Sequence, residues 1–155
     1  MSASSNRLTT AQLYQLQPQL AKSLLDLAKA ASTSLDAPLL HLVKLRVSQI
    51  NGCAFCMQMH AAEARRDGEQ QVRLDVLVGW PETTLFTERE QVALRWAECL
   101  TQVATAGVPD ILYQQVSHVF TAKELADLTA VIIEINSWNR IAVSFHTGDL
   151  SDKTA

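Results

Sequence analysis

Three Thr-x-x-Glu/Gln quartets, Thr9 to Gln12, Thr87 to Glu90 and Thr121 to Glu124, punctuate the chain. In each, the threonine hydroxyl can accept from the backbone N–H three residues on, while the Glu or Gln side chain returns to the threonine N–H, so each should start a helix. Between them apolar residues recur at helical spacing, and the alternating β-branched and aromatic runs that mark strands are nearly absent. The expected fold is all-α. No linker, internal repeat or low-complexity tract divides the 155 residues, so 1–155 reads as one domain.

Further signals place the other helices. Pro18 opens a helix that runs to about Ala31, where Ser32-Thr33-Ser34 ends it. Asp36 is a good N-cap with Pro38 in the first turn, and Leu40, Val43, Val47 and Ile50 follow at helical spacing toward an Asn51-Gly52 turn. The next helices are expected from about Cys53 to Asp67, stopped by Gly68, and from Glu69 to Gly79, ended by Trp80-Pro81. One from Thr87 to about Ala106 and a short one from Pro109 to Phe120 precede a long helix over Thr121 to Phe145. The centre of this last helix, LTAVIIEINSW, is apolar on most sides and so belongs in the core or between subunits. The tail SDKTA is expected to fray.

The chemistry concentrates in Cys53-Ala54-Phe55-Cys56 and His60. Helical residues three apart have Cα atoms about 5 Å from each other, and disulfides bridge roughly 4.4 to 6.8 Å, so Cys53 and Cys56 can close and open a bond with little backbone movement. Their place at a helix start favours thiolate over thiol. His60, four residues after Cys56, lies over the same face and can exchange a proton with that sulfur. Cys56 is thus the expected nucleophile and Cys53 the thiol that resolves its oxidised product.

Other chemistries fit less well. A c-type haem site needs histidine directly after the second cysteine, where Met57 stands. A structural zinc site needs a fourth ligand that only His41 or Cys99 could supply, so no metal is expected. In the blandest reading both cysteines are inert and His60 is a surface residue, which leaves the spacing of three redox-competent groups to chance. Cys99 by itself reads as a small buried hydrophobe. A formal charge of -3 with scattered Lys and Arg offers no attraction to nucleic acid or anionic lipid. The N-terminus lacks the basic start and apolar run of a signal peptide, and no run of about 18 apolar residues occurs, so the expected location is the cytoplasm.

The stretch LVKLRVSQINGCAFCMQMHAAEARRDGE, with the later TEREQVALRWAECLT and EINSWNRIAVSF, resembles the alkylhydroperoxidase D-like, or carboxymuconolactone decarboxylase, superfamily from about Pro38 to Phe145. The resemblance implies an all-helical fold, assembly into homo-oligomers such as trimers or hexamers, and thiol peroxidase activity without a cofactor. Carried over by position, Cys56 is peroxidatic, Cys53 resolving and His60 part of the proton relay. The substrate it implies is hydrogen peroxide or an organic hydroperoxide. The electron donor it implies is a dithiol, for which family analogy suggests a dihydrolipoyl group on a partner protein. Decarboxylases of the superfamily generally lack the cysteine pair, so a lyase activity is implied only weakly. Two positions depart from the pattern: His41 and Phe55 stand where the family's best-studied peroxidase carries a glutamate and a histidine. His41, on one polar stripe with Lys44 and Ser48, is either a substitute proton carrier or a solvated residue. A redox-sensing or binding protein of the same fold, without turnover, is the alternative.

Glu134, set among apolar neighbours in VIIEIN, either has a raised pKa or lies near a site or, as the favoured reading, pairs with an arginine or faces a subunit boundary, and Trp138, Asn139 and Arg140 contribute to an interface in the same way. His118 and His146 have no partner at catalytic spacing, and Met57 and Met59 read as packing residues.

Overall fold

The computed structural model describes residues 7–147, and every regular element among them is helical. In chain order these are α1 (Thr10–Leu16), α2 (Pro18–Ala31), α3 (Ala37–Ile50), α4 (Ala54–Arg66), α5 (Gln71–Asp75), a 3₁₀ segment (Leu77–Glu82), α6 (Glu88–Thr101), α7 (Val103–Ala106), α8 (Asp110–Val119) and α9 (Ala122–Phe145). All three capping boxes form, each threonine hydroxyl accepting from the N–H three residues on at 3.2 Å. Asp36 caps α3 through the Leu39 N–H at 3.3 Å. The expected fraying of 151–155 lies outside the described residues. Among the described residues no helix is long and apolar enough to cross a membrane.

Two expected boundaries are corrected. The helix expected from Glu69 to Gly79 stops at Asp75, and a 3₁₀ segment carries on through Trp80 and Pro81 to Glu82. Pro81 has no N–H to give an α-helical ladder, while the buried Trp80 indole, donating to Glu98 Oε1 at 2.9 Å, pins the tighter turn to α6. The helix expected from Thr87 to Ala106 breaks at Gln102, because α7 buries no residue and so nothing holds it in line with α6.

The centre of the molecule is α3, packed against α4, α6 and α9. Its Leu39, Leu40, Leu42, Val43, Leu45 and Val47 are all buried, so it presents apolar surface to neighbours on opposite sides. Val43 and Val47 join a core with Ala93, Trp96, Leu128, Ile132 and Ile135. Leu42 and Leu45 join a second with Ala64, Leu77, Trp80 and Leu94. Each such leucine contributes about 1.5–3 kcal/mol by leaving water.

A polar junction fixes the end of α3. Gly52, at φ +65°, turns the chain in the left-handed region, so its own N–H reaches Gln49 O at 3.2 Å and the Cys53 N–H reaches Ser48 O at 3.0 Å. These two bonds close a Schellman motif, with glycine at the position that needs positive φ. The Asn51 amide donates to Asn136 Oδ1 at 3.0 Å and to Asn139 Oδ1 at 2.9 Å, tying the turn to α9. Asn139, fully buried, donates onward to Ser48 Oγ at 3.0 Å.

Asn139→Ala removes an acceptor for Asn51 and a donor for Ser48, and should cost about 1–3 kcal/mol in urea unfolding. A loss below about 0.5 kcal/mol, the range of ordinary surface changes, would show that the junction does not hold the turn.

Candidate active site

The turn delivers Cys53 as the N-cap of α4, where its sulfur accepts the Cys56 N–H at 3.3 Å. Sulfur thus takes the place usually held by a hydroxyl or carboxylate oxygen. The two cysteines, with Cα atoms 5.3 Å apart, are joined by a disulfide, and each is only 2% exposed. The positive helix start acts first on the Cys53 sulfur, whereas the sequence spacing favours Cys56 for activation through His60.

Cys56 lines a cavity of about 390 Å³ between α1, α2, α3, α4 and α9. Tyr14, Leu25, Phe55, Met59, Trp138 and Ile141 give it an apolar wall, and Lys44, His60, Glu63 and Glu134 add polar groups. Its size suits a small organic molecule. Cys53 instead lines a shallower depression of about 240 Å³ with Gly52, Val143 and His146.

His60 is 5% exposed, and its Nδ1 lies 3.0 Å from Glu63 Oε2. Burial lowers its pKa below the ordinary histidine value and outweighs the pull of Glu63 in the other direction. In the neutral ring an Nδ1–H donated to Glu63 leaves the lone pair on Nε2. Glu134, 3% exposed, reaches the same cavity from α9. Burial raises its pKa from the ordinary carboxyl value, although Lys44 Nζ is 3.6 Å from its Oε2. Among the described residues two buried side-chain polar atoms lack a hydrogen-bond partner, His60 Nε2 and Glu134 Oε2, and both residues line this cavity.

The structure therefore brings Cys56 and His60 to one cavity but leads His41 elsewhere. His41 Nε2 bonds Asp67 Oδ2 at 2.7 Å, in a separate depression with Pro38 and Gly68. The polar stripe expected on α3 divides three ways: His41 turns to Asp67, Lys44 to Glu134, and Ser48 to the junction with Asn139. Glu134 pairs with Lys44 rather than with an arginine, and it does so inside the cavity, so of the two readings of this carboxylate the structure favours a place near the site. Trp138 lines the cavity and Asn139 is interior. Cys99 is only partly buried and its thiol donates to Gly107 O at 2.9 Å, which corrects the expected core position. Among the described residues no group of three or more His, Cys, Asp or Glu side chains is arranged to hold a metal ion.

Residues 18–98 match the model of the carboxymuconolactone decarboxylase family. The chain belongs to this family. Within it, YdfG of Bacillus subtilis, an uncharacterized protein, is 37% identical over 132 residues, which span 84% of this chain and 90% of that one. A solved structure of ATU0492 from Agrobacterium tumefaciens, a protein of unknown function put forward as the antioxidant defence protein AhpD, superimposes with a TM-score of 0.84 at 35% identity. It covers 91% of this chain and 97% of that one. The debrominase Bmp8 shares the fold alone, with a TM-score of 0.77 at 16% identity over 90% of this chain and 75% of that one. The AhpD-like resemblance of the Cys53/Cys56 motif and the all-helical fold of this family member thus agree.

Two opposed pH dependences follow from the cavity. A His60 with a lowered native pKa is protonated first in the unfolded chain, so its stabilising contribution is complete above about pH 6.5 and is lost on acidification. A Glu134 with a raised native pKa contributes at low pH, and that contribution is lost as pH rises past about 4.3. Urea midpoints between about pH 7 and 5 should show that His60→Gln lessens the loss of stability on acidification and Glu134→Gln steepens it. Parallel profiles for both variants and the parent would contradict these shifts.

Proposed function

We propose that the protein is a thiol-dependent peroxidase in which Cys56 attacks a hydroperoxide and Cys53 resolves the product. The observation that carries this reading is the bonded Cys53–Cys56 pair at the start of α4, with Cys56 opening on a cavity where a neutral His60 presents an Nε2 without a partner. In the reduced protein His60 Nε2 takes the Cys56 thiol proton, and the thiolate attacks the outer peroxide oxygen. The S–O bond forms as the O–O bond breaks, giving a Cys56 sulfenic acid and an alkoxide that leaves as the alcohol. Cys53, its sulfur supported by the Cys56 N–H, then attacks the Cys56 sulfur and expels water as the disulfide closes. A dithiol donor, a lipoyl group on a partner protein in this reading, restores both thiols and leaves oxidised by two electrons.

The apolar cavity wall favours organic hydroperoxides, and the antioxidant role put forward for ATU0492 points the same way. Assembly into homo-oligomers belongs to this reading, supported by Ile133 and Val143 of α9, exposed by 54% and 46%.

Cys56→Ser should abolish peroxide consumption with a dithiol reductant. Cys53→Ser should consume about one peroxide per chain and hold Cys56 as a sulfenic acid, seen by mass spectrometry after trapping. Undiminished turnover by Cys56→Ser would sink the mechanism, and a disulfide that forms with no turnover of any peroxide would favour a redox sensor.

A further inference from the structure

We infer that Glu134 is the acid that protonates the leaving oxygen of the hydroperoxide, and that Lys44 positions and charge-balances its carboxylate. This rests on the peroxidase reading above and adds to it a group from α9. An alkoxide is a poor leaving group without a proton, and the steps assigned to His60 and the two thiols do not supply one at the far end of the peroxide. The sulfur that attacks, the outer oxygen it attacks and the oxygen that leaves lie roughly in line, so the leaving oxygen points away from the sulfur. His60 stands on the same helix as Cys56, one turn on, whereas Glu134 enters the cavity from a different wall.

Its position satisfies the requirements of such a donor. The carboxyl is buried and lines the cavity beside Lys44 and Trp138, and its Oε2 has no hydrogen bond of ordinary length, so a substrate oxygen can approach it. Burial favours the protonated carboxyl before reaction. Afterwards Lys44 Nζ, 3.6 Å from the same oxygen, faces the new carboxylate, so the negative charge does not stand alone in a low-dielectric cavity. Protons balance: Cys56 gives one to His60, Glu134 gives one to the alkoxide, and return of the imidazolium proton to Glu134 resets both. Electrons come from the Cys56 sulfur, which is oxidised as the peroxide is reduced.

Leaving-group acidity gives the test. The reduced full chain and its Glu134→Gln, Glu134→Asp and His60→Gln variants are mixed with tert-butyl hydroperoxide, which releases a strongly basic alkoxide, and with peracetic acid, which releases acetate and needs no acid. The oxidation rate of Cys56 is followed by stopped flow. The ratio of hydroperoxide to peracid rates should fall about 10²-fold in Glu134→Gln, as expected for loss of a general acid, and recover in part in Glu134→Asp. His60→Gln should slow both reactions and leave the ratio near that of the parent. Equal losses with both oxidants in Glu134→Gln, or none, would overturn the assignment and leave the peroxidase reading intact. Failure of either oxidant to oxidise Cys56 of the reduced parent chain, to sulfenic acid or to the Cys53–Cys56 disulfide, would overturn the peroxidase reading and this assignment with it.

Discussion

Everything at the site hangs on the way α3 ends. The left-handed Gly52 lets the Cys53 N–H bond back to Ser48 O, so the chain leaves one helix and enters the next within three residues. Asn51 then locks that turn to α9 through Asn136 and Asn139. Polar bonds at a junction of three helices cost desolvation, and they stabilise only when every member is satisfied. Here Asn51, Asn136, Asn139 and Ser48 each have partners, so the redox pair sits on a rigid joint. A joint of this kind keeps the Cα atoms of Cys53 and Cys56 at bridging distance whether the sulfurs are bonded or not.

The cavity beside that joint acts through the burial of its polar groups. Burial disfavours charge on both His60 and Glu134, lowering the pKa of the first and raising that of the second. Glu63 and Lys44 temper the effect, each placing an opposite charge at the edge of the group it serves. Neither neighbour outweighs burial.

The helices were largely legible in the sequence because their starts are local chemistry. Thr9, Thr87 and Thr121 each meet their own Gln or Glu three residues away, and Asp36 meets Leu39, so no tertiary knowledge is needed. The Cys53, Cys56 and His60 constellation is local in the same sense, lying on one helix start. What escaped the sequence depends on which helix crosses which. Periodicity places Lys44 on a polar stripe and Glu134 in an apolar run, but only the packing of α3 on α9 brings them to one cavity. The 3₁₀ segment escaped for a related reason, since Trp80 is held there by Glu98, eighteen residues on.

Sharing α9 has a consequence for how the parts act together. Asn136 and Asn139, which hold the cysteine turn, and Glu134, which lines the cavity, lie within two turns of the same helix. Position 41 of α3 supplies no group to the cavity, since His41 is turned to Asp67. A small shift of α9 therefore moves the acid and the support of the thiol pair together, so their spacing is preserved. The shared fold of Bmp8 at 16% identity indicates that the helical frame tolerates wide change in sequence. Chemistry within that frame is set by the side chains aimed into the cavity, and in this chain those of α9 are coupled to the cysteine turn by Asn51.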